Sequence, residues 1–213
     1  MQPPDDVYRR THERRYALLL QLVRELSPER ILVVGPSHES AMLREVAPVD
    51  TLGWDDHRFP RVEGEQHAQH DLNDLDYPDL DPHDVVVCSE VIEHLHVPPR
   101  GLLRTLAQAL TTGGHLVLQT PNATSLPKRL RILVGRNPYE PIRNEPGNPG
   151  HFHEYTVSEL REATAGAGLD VIRVVTANYF EHGSPQNRLF RAVGPVLPST
   201  LREGITIVAQ RSR

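Results

Sequence analysis

The stretch DVVVCSEVIEHLH, residues 84–96, decides the fold and draws attention to one group of polar side chains. Its first half, residues 85–88, is a continuous apolar run, which is typical of a strand buried on both faces. Its second half carries the polar residues Ser89, Glu90, Glu93, His94 and His96. A helical turn beginning at Ser89 would place Glu90, Glu93 and His94 on one face.

These carboxylates and the imidazole follow a buried strand, at the end where open α/β sheets bind ligands. Carboxylate oxygen and imidazole nitrogen together suit a divalent ion such as Mg, Mn, Fe or Zn. A solvated first helical turn, in which the helix dipole favours acidic residues, is the alternative interpretation. This stretch by itself leaves both interpretations open.

The length predicts one domain covering residues 1–213. No apolar run approaches the roughly 18 residues of a membrane span, and the first 16 residues have no signal-peptide core. The single cysteine, Cys88, excludes an internal disulfide and favours a cytoplasmic location. The net charge of −5 gives no general attraction to nucleic acid or anionic lipid.

Strand and helix patterns alternate on both sides of the opening stretch. Strands are predicted at residues 30–34, 49–54, within 61–71, and at 85–88, 115–119, 169–176 and 205–209. Helices are predicted at residues 5–26, 40–46, 98–110, 125–135 and 156–168, with a stop and turn at 111–114. This alternation indicates a Rossmann-like α/β fold, with a seven-stranded, mostly parallel sheet and helices on both faces. The last two strands, which no helix separates, predict an antiparallel edge hairpin.

The first strand and the segment after it fit half of a nucleotide-binding fold. Gly35 permits a tight turn, and Asp55 follows it by 20 residues, at the end of the second strand. The helix at residues 5–26 carries Arg9, Arg10, Arg14 and Arg15, which we interpret as a solvated face, with a phosphate site as the alternative.

Residues 121–155 interrupt the alternation and are predicted to form a lid or a substrate-binding insertion. Its first part, SLPKRLRILVG, reads as a basic amphipathic helix, and its second part is dense in Pro, Asn and Gly. We interpret the basic residues as a solvated helix face. An anionic part of the substrate or a membrane surface is the alternative partner for Lys128, Arg129, Arg131 and Arg136.

Three blocks of the sequence together resemble the class I S-adenosylmethionine-dependent methyltransferases. They are DVVVCSEVIEHL (84–95), LLRTLAQALTTGGHLVLQTPN (102–122) and HFHEYTVSELREATAGAGLDVI (151–172). The resemblance implies that Asp55 binds the ribose and that Asp71 and Leu72 lie beside the adenine. The predicted cofactor-binding residues are Gly35, Ser37, Asp55, Asp71, Leu72 and Ser89. Glu39 stands where the family has a glycine, so its carboxylate either pairs with the cofactor's ammonium group or repels its carboxylate.

A narrower resemblance concerns the metal. The small-RNA 2′-O-methyltransferases and the ubiquinone-pathway O-methyltransferases carry Glu-x-x-Glu-His at the position of Glu90, Glu93 and His94. In the RNA branch a further metal-binding histidine opens a block similar to HFHEYT, where it corresponds to His151, and His153 replaces an aromatic residue. The resemblance therefore implies a divalent metal held by Glu90, Glu93, His94 and His151, with His94 or His151 as the catalytic base.

These features predict a metal-assisted O-methyltransferase acting on a small molecule with vicinal hydroxyls, such as a sugar, a glycan unit or a catechol. A cation bound to a hydroxyl oxygen lowers its pKa, and a nearby imidazole takes the proton. The alternative within the enzyme class is methylation of the 3′-terminal ribose of RNA. A different alternative is a non-catalytic, methyltransferase-like binding protein, because Val33, Ser37 and Glu39 depart from the family's cofactor loop.

Overall fold

The computed structural model describes residues 10–145, 149–178 and 197–212. The strands of this part are β1 (Ile31–Val34), β2 (Val49–Gly53), β3 (His67–Gln69), β4 (His83–Ser89), β5 (Leu110–Pro121), β6 (Asp170–Ala177) and β7 (Gly204–Gln210). Its α-helices are α1 (Glu13–Leu26), α2 (His38–Leu43), α3 (Arg100–Gln108), α4 (Leu126–Leu133) and α5 (Val157–Gly166). Short 3₁₀ turns lie at Ile92–His94 and Ser199–Leu201.

The seven strands of the described residues form one sheet in the order β3-β2-β1-β4-β5-β7-β6. The first five pair in parallel, and β7 pairs antiparallel with both β5 and β6. The predicted mostly parallel sheet with an antiparallel edge pair is therefore confirmed. Because parallel strands end at the same edge, the segments after β1, β2, β3 and β4 lie side by side at the carboxyl edge.

Both faces of the sheet are covered, because successive side chains of a buried strand point in opposite directions. In β1, Ile31 and Val33 pack with apolar residues of α1 and α2, whereas Leu32 and Val34 pack with apolar residues of α3 and α5. Cys88 is buried in the second of these cores, as the sequence predicts. The predicted placement of helices on both faces is confirmed.

Two predicted boundaries differ from the structure. Helix α2 begins at His38 because Ser37 is extended and its N–H donates to Ser40 Oγ over 3.0 Å, which closes a capping box. The predicted stop and turn at residues 111–114 is wrong, because these residues lie within β5. Gly113, with φ of 83°, donates its N–H to Arg211 O over 2.7 Å and so keeps the strand paired.

The amino-terminal part of the predicted first helix, residues 5–9, lies outside the described residues. Helix α1 accounts for the remainder of that prediction and ends at Leu26, before Ser27 with φ of 50°. None of the helices in the described ranges is both long enough and apolar enough to cross a membrane.

Candidate active site and metal centre

Strand β4 ends in a left-handed turn rather than in the start of a helix. Glu90 donates its N–H to Gln119 O over 2.9 Å, and its φ of 54° then turns the chain. A 3₁₀ turn follows at Ile92–His94. The predicted helical turn beginning at Ser89 is therefore wrong, and Glu90 shares no helix face with Glu93. Left-handed backbone at a residue other than glycine costs about 1–3 kcal/mol and is concentrated at functional sites.

Two carboxyl groups with unsatisfied oxygens lie next to this turn. Glu93 is fully buried, and its Oε2 accepts a hydrogen bond from Thr120 Oγ1 over 2.9 Å. The Oε1 atoms of Glu90 and Glu93 are both shielded from solvent and have no hydrogen-bond partner among the described residues. Such atoms are rare in folded proteins, because an unpaired buried polar atom costs about 1–3 kcal/mol.

The two carboxyl groups resist ionisation in the absence of a cation. Burial raises the pKa of Glu90 well above its ordinary range, and the neighbouring Glu93 raises it further. Burial also raises the pKa of Glu93, although hydrogen bonds from its own backbone and Thr120 and the charges of Arg15 and Lys128 oppose the shift. A divalent ion would favour both ionised forms.

Two histidines complete the cluster. The ligand atoms of Glu93, His94 and His151 all lie within 4.8 Å of one another. His94 Nδ1 lies 2.8 Å from Gly150 O, so it donates a proton to this carbonyl and leaves the Nε2 lone pair free. Burial lowers the pKa of His151, with a contribution from His94. The neutral imidazole that this favours is the form that binds metal ions.

A second layer of side chains holds His151. Its Nδ1 lies 3.0 Å from Glu154 Oε1, and its Nε2 lies 3.1 Å from Glu140 Oε2. Glu154 in turn pairs with Lys128, whose Nζ also donates to Asn122 O over 3.1 Å. Burial lowers the pKa of Lys128 to about 8. A metal-binding histidine usually donates one N–H to a carboxylate or carbonyl and binds the ion with its other nitrogen. His94 has this arrangement, whereas Nε2 of His151 would have to leave Glu140 to bind an ion.

The donor set fits a divalent cation. It combines a buried carboxylate that has an unpaired oxygen with two imidazoles, each of which is held through Nδ1 by a carbonyl or a carboxylate. Glu90 lies outside the group of ligand atoms within 4.8 Å, although its charge and that of Glu93 act on each other. Oxygen and nitrogen donors together suit Mg, Mn, Fe or Zn.

The residues predicted to bind the cofactor lie along the carboxyl edge, from β3 to β4, and this row reaches the cluster at the end of β4. They follow β1 (Gly35, Ser37), β2 (Asp55), β3 (Asp71, Leu72) and end β4 (Ser89). Gly35 has φ of 83°, and a Cβ added there would meet no atom within 4 Å. Glycine is therefore required by the backbone, and open space remains beside it. This space suits a nucleotide-like cofactor approaching the end of β1.

In the described part of the chain, the acidic residues of this edge make only exposed hydrogen bonds with neighbouring residues. Asp55, half-exposed, accepts from Arg61 Nη2 over 3.2 Å. Asp71 is exposed, and its Oδ1 accepts the N–H of Asn73 over 3.0 Å. Leu72 packs against the core, and its carbonyl accepts from Tyr77 OH over 2.6 Å. Both carboxylates are therefore accessible to ribose hydroxyls or adenine nitrogens.

A buried ion pair joins the first helix to the cofactor loop. Arg15 Nη1 donates to Glu39 Oε1 over 2.6 Å and to Ser89 Oγ over 2.5 Å. Burial alone would raise the pKa of Glu39, but the charge and hydrogen bonds of Arg15 lower it. The interpretation of the arginine cluster as a solvated face is wrong for Arg15, which is buried.

Several contacts of this site could not be read from the sequence. Glu140 lies in an irregular loop whose composition indicates only turns. The pairing of Arg15 with Glu39 joins residues 24 positions apart. The sequence did contain a signal for Glu154, because this residue lies in the HFHEYT block quoted above. His153 is exposed and pairs with Glu159 at the start of α5.

The sequence profile of the methyltransferase domain family matches residues 8–174. The chain belongs to this family. With the strand order described above, it is an S-adenosylmethionine-dependent methyltransferase, as the sequence resemblance implies. A search of curated proteins found no match.

Solved structures with the same fold cover most of the chain. An S-adenosylmethionine-dependent methyltransferase from Mesorhizobium loti is 20% identical over 90% of this chain and 96% of that one, with a TM-score of 0.59. The N-methyltransferase NodS from Bradyrhizobium japonicum, in complex with S-adenosyl-L-homocysteine, is 14% identical over 94% and 87% respectively, with a TM-score of 0.59. A methyltransferase from Archaeoglobus fulgidus is 13% identical over 96% and 98%, with a TM-score of 0.61. At these identities the likeness concerns the fold.

Proposed function

We propose that this methyltransferase transfers the methyl group of S-adenosylmethionine to a hydroxyl of a small molecule with the help of a divalent cation. The observation that carries the proposal is the cluster of buried Glu93 with half-buried His94 and His151, whose ligand atoms lie within 4.8 Å of one another. Glu93 Oε1 has no partner among the described residues, so its lone pairs are available to coordinate a cation.

The chain's own residues hold and orient the reactants. When bound, the cation acts as a Lewis acid that lowers the pKa of the acceptor hydroxyl. Glu93, His94 and His151 are the proposed ligands, and Glu90 adds negative charge beside them. Gly150 O and Glu154 hold the Nδ1 atoms of the two histidines, so Nε2 of His94 is free to bind a cation, whereas Nε2 of His151 would have to leave Glu140 to do so. The cofactor residues Gly35, Ser37, Asp55, Asp71, Leu72 and Ser89 are proposed to bind S-adenosylmethionine along the adjacent edge.

His94 and His151 are also the proposed bases of a reaction that uses no cation. One nitrogen atom cannot hold a cation and take a proton at the same time, so the two roles exclude each other at a given Nε2. In the metal-free role, an imidazole takes the hydroxyl proton as the oxygen forms its bond to the methyl carbon and the carbon–sulfur bond breaks. Removal of divalent ions distinguishes the two mechanisms.

Two observations favour other acceptors. Arg129, Arg131 and Arg136 are exposed, as are Arg10 and Arg14, and these residues could contact the phosphates of an RNA whose 3′-terminal ribose is methylated. The likeness to an N-methyltransferase makes an amine acceptor a second alternative. The net charge of −5 favours a small molecule over RNA.

A methyl-transfer screen tests the proposal. The enzyme and S-adenosylmethionine are incubated with sugars, catechols, amines and short RNA, each with and without EDTA. We expect transfer to a compound with vicinal hydroxyls that EDTA abolishes and a divalent ion restores. Transfer to RNA or to an amine would replace the proposed acceptor class. Failure to bind S-adenosylmethionine in calorimetry would instead favour a non-catalytic protein.

A further inference from the structure

Helix α4 is unusual because its second half is exposed in the part of the chain that the structure describes. None of its residues is fully buried, and residues 129–133 are exposed. The exposed fractions are 53% for Leu130, 52% for Ile132, 79% for Leu133 and 70% for Val134. A helix in a folded domain normally buries an apolar stripe against the core, and α1, α3 and α5 all do so.

The apolar residues of α4 form a stripe of their own. Leu130, Leu133 and Val134 are three and four positions apart, so they share one face of the helix. An isolated helix of eight residues is marginal in water, because helix formation needs about 12–15 residues or tertiary packing. Adjacent large exposed apolar side chains mark an interaction surface.

The charge of the segment indicates the partner. Residues 126–136 contain four basic residues and no acidic residue, although the whole chain has a net charge of −5. Lys128 is directed inward, to Asn122 and Glu154. The exposed side chains of Arg131 and Arg136 have no hydrogen-bond or ion-pair partner among the described residues. A second copy of this chain, packed by a twofold axis, would bring these arginines toward their own equivalents, which is unfavourable.

We propose that α4 binds an anionic lipid surface. Leu130, Leu133 and Val134 enter the boundary between headgroups and acyl chains, and Arg129, Arg131 and Arg136 contact the lipid phosphates. The helix lies in the plane of the surface, consistent with its short length. The proposal goes beyond the methyl-transfer reaction and depends on neither the acceptor nor the cation.

Helix α4 is connected to the candidate active site by side-chain contacts. Lys128, on the same helix, pairs with Glu154, and Glu154 contacts His151. Helix α4 would therefore lie between the lipid surface and the proposed site of reaction, because Lys128 points to the opposite side of the helix from Leu130.

Co-sedimentation with vesicles tests the proposal on the full chain, without cofactor or metal. Phosphatidylglycerol–phosphatidylcholine vesicles are compared with vesicles of phosphatidylcholine alone, at low and high salt. The apolar variant is Leu133→Ser/Val134→Ser, and its control is Val62→Ser/Ile172→Ser, two apolar residues elsewhere on the surface that are 50% and 53% exposed. The charge variant is Arg131→Gln/Arg136→Gln, and its control is the exposed pair Arg104→Gln/Arg161→Gln.

We expect binding to the anionic vesicles that high salt weakens. The charge variant should bind about 25-fold more weakly, because each arginine near an anionic surface contributes about fivefold. The apolar variant should lose about tenfold or more. Both controls should bind like the parent. Absence of binding to anionic vesicles would overturn the proposal, as would equal losses in variants and controls. Dimerisation of the parent, abolished in the apolar variant, would assign the stripe to a second copy instead.

Discussion

The buried carboxyl groups of Glu90 and Glu93 affect the stability of the metal-free protein. Each has a buried Oε1 atom without a partner among the described residues, and burial raises the pKa of both. A carboxyl group whose pKa is raised by folding contributes its full stability below the unfolded pKa. That stability is lost as the pH rises through the folded pKa. The metal-free protein should therefore lose stability as the pH rises above the ordinary carboxyl range, and a bound cation should reverse the effect.

The substitutions Glu90→Gln and Glu93→Gln test whether these carboxylates destabilise the metal-free protein. Each change removes a charge and keeps the shape of the side chain. We expect each to raise the free energy of unfolding of the metal-free protein by about 1.4 kcal/mol or more at pH 8, the equivalent of one pKa unit. The gain should shrink at acidic pH, and denaturant titration across the pH range measures it. The exposed Glu162→Gln is the control. Destabilisation at pH 8 would show that these carboxylates have a structural role.

The pair of Arg15 and Glu39 is expected to behave differently from an exposed ion pair. Both side chains are buried, so Arg15→Met leaves an unpaired carboxylate in the interior. We expect a loss of about 3–5 kcal/mol of stability at neutral pH. The lowered pKa of Glu39 stabilises the fold above the unfolded pKa, and this part is lost as the pH falls through the folded pKa.

The double variant Arg15→Met/Glu39→Met is the test of that coupling. Since it removes both charges, its stability in denaturant titration should be close to that of the parent. A double variant that loses the sum of the two single effects would contradict a coupled ion pair.

At the scale of elements, the segment around Gly150 connects the irregular loop to the candidate metal centre. Its φ of 78° and its closeness to Pro141, where an added Cβ would lie 2.1 Å from the carbonyl oxygen, both require glycine. Its own carbonyl accepts the Nδ1 proton of His94. Phe152 N–H donates to Glu93 O over 2.8 Å and ties the following residues to the 3₁₀ turn.

Gly150→Ala should therefore displace the carbonyl that orients His94. We expect a loss of about 10–100-fold in affinity for a divalent ion, the usual effect of losing an outer-layer partner. S-adenosylmethionine should bind as before. The control is Gly64→Ala, which has a similar φ of 89° but open space around the added Cβ. Equal effects of both changes on metal affinity would mean that backbone strain, and not the contact with His94, is responsible.

The elements also show where sequence patterns stop being informative. The buried runs at residues 30–34 and 85–88 and the alternation of strands and helices predict the sheet, because burial imposes their composition. The turn after β4 was not predictable in detail. Its shape depends on the pairing of Glu90 with Gln119 of a different strand, and no local pattern encodes that contact. The HFHEYT block predicts by resemblance that His151 lies near Glu93, but it gives no indication that Glu140 contacts His151 or that Gly150 O accepts from His94.

At the scale of the whole molecule, the parallel strands bring the proposed cofactor-binding residues and the candidate metal centre to one edge of the sheet. Asp55→Ala tests the first of these, because it removes the carboxylate proposed to bind the ribose hydroxyls. We expect S-adenosylmethionine to bind more weakly by about 1.5–3 kcal/mol for each charge-assisted hydrogen bond lost. Calorimetry measures this. The neighbouring Asp56→Ala, whose carboxylate pairs with Arg58, is the control. An unchanged affinity in Asp55→Ala would remove Asp55 from the cofactor site.

The central claim, that Glu93, His94 and His151 bind a divalent cation, is tested most directly by calorimetric titration of Mn²⁺ into chelator-treated protein. We predict saturable binding of one ion per chain, competition by Mg²⁺ or Zn²⁺, and binding weakened by at least about tenfold in Glu93→Gln and His151→Ala. S-adenosylmethionine affinity should be the same in all three proteins. Absence of a saturable site, or equal Mn²⁺ affinity in the parent and both variants, would contradict the account and leave His94 or His151 as a metal-free base.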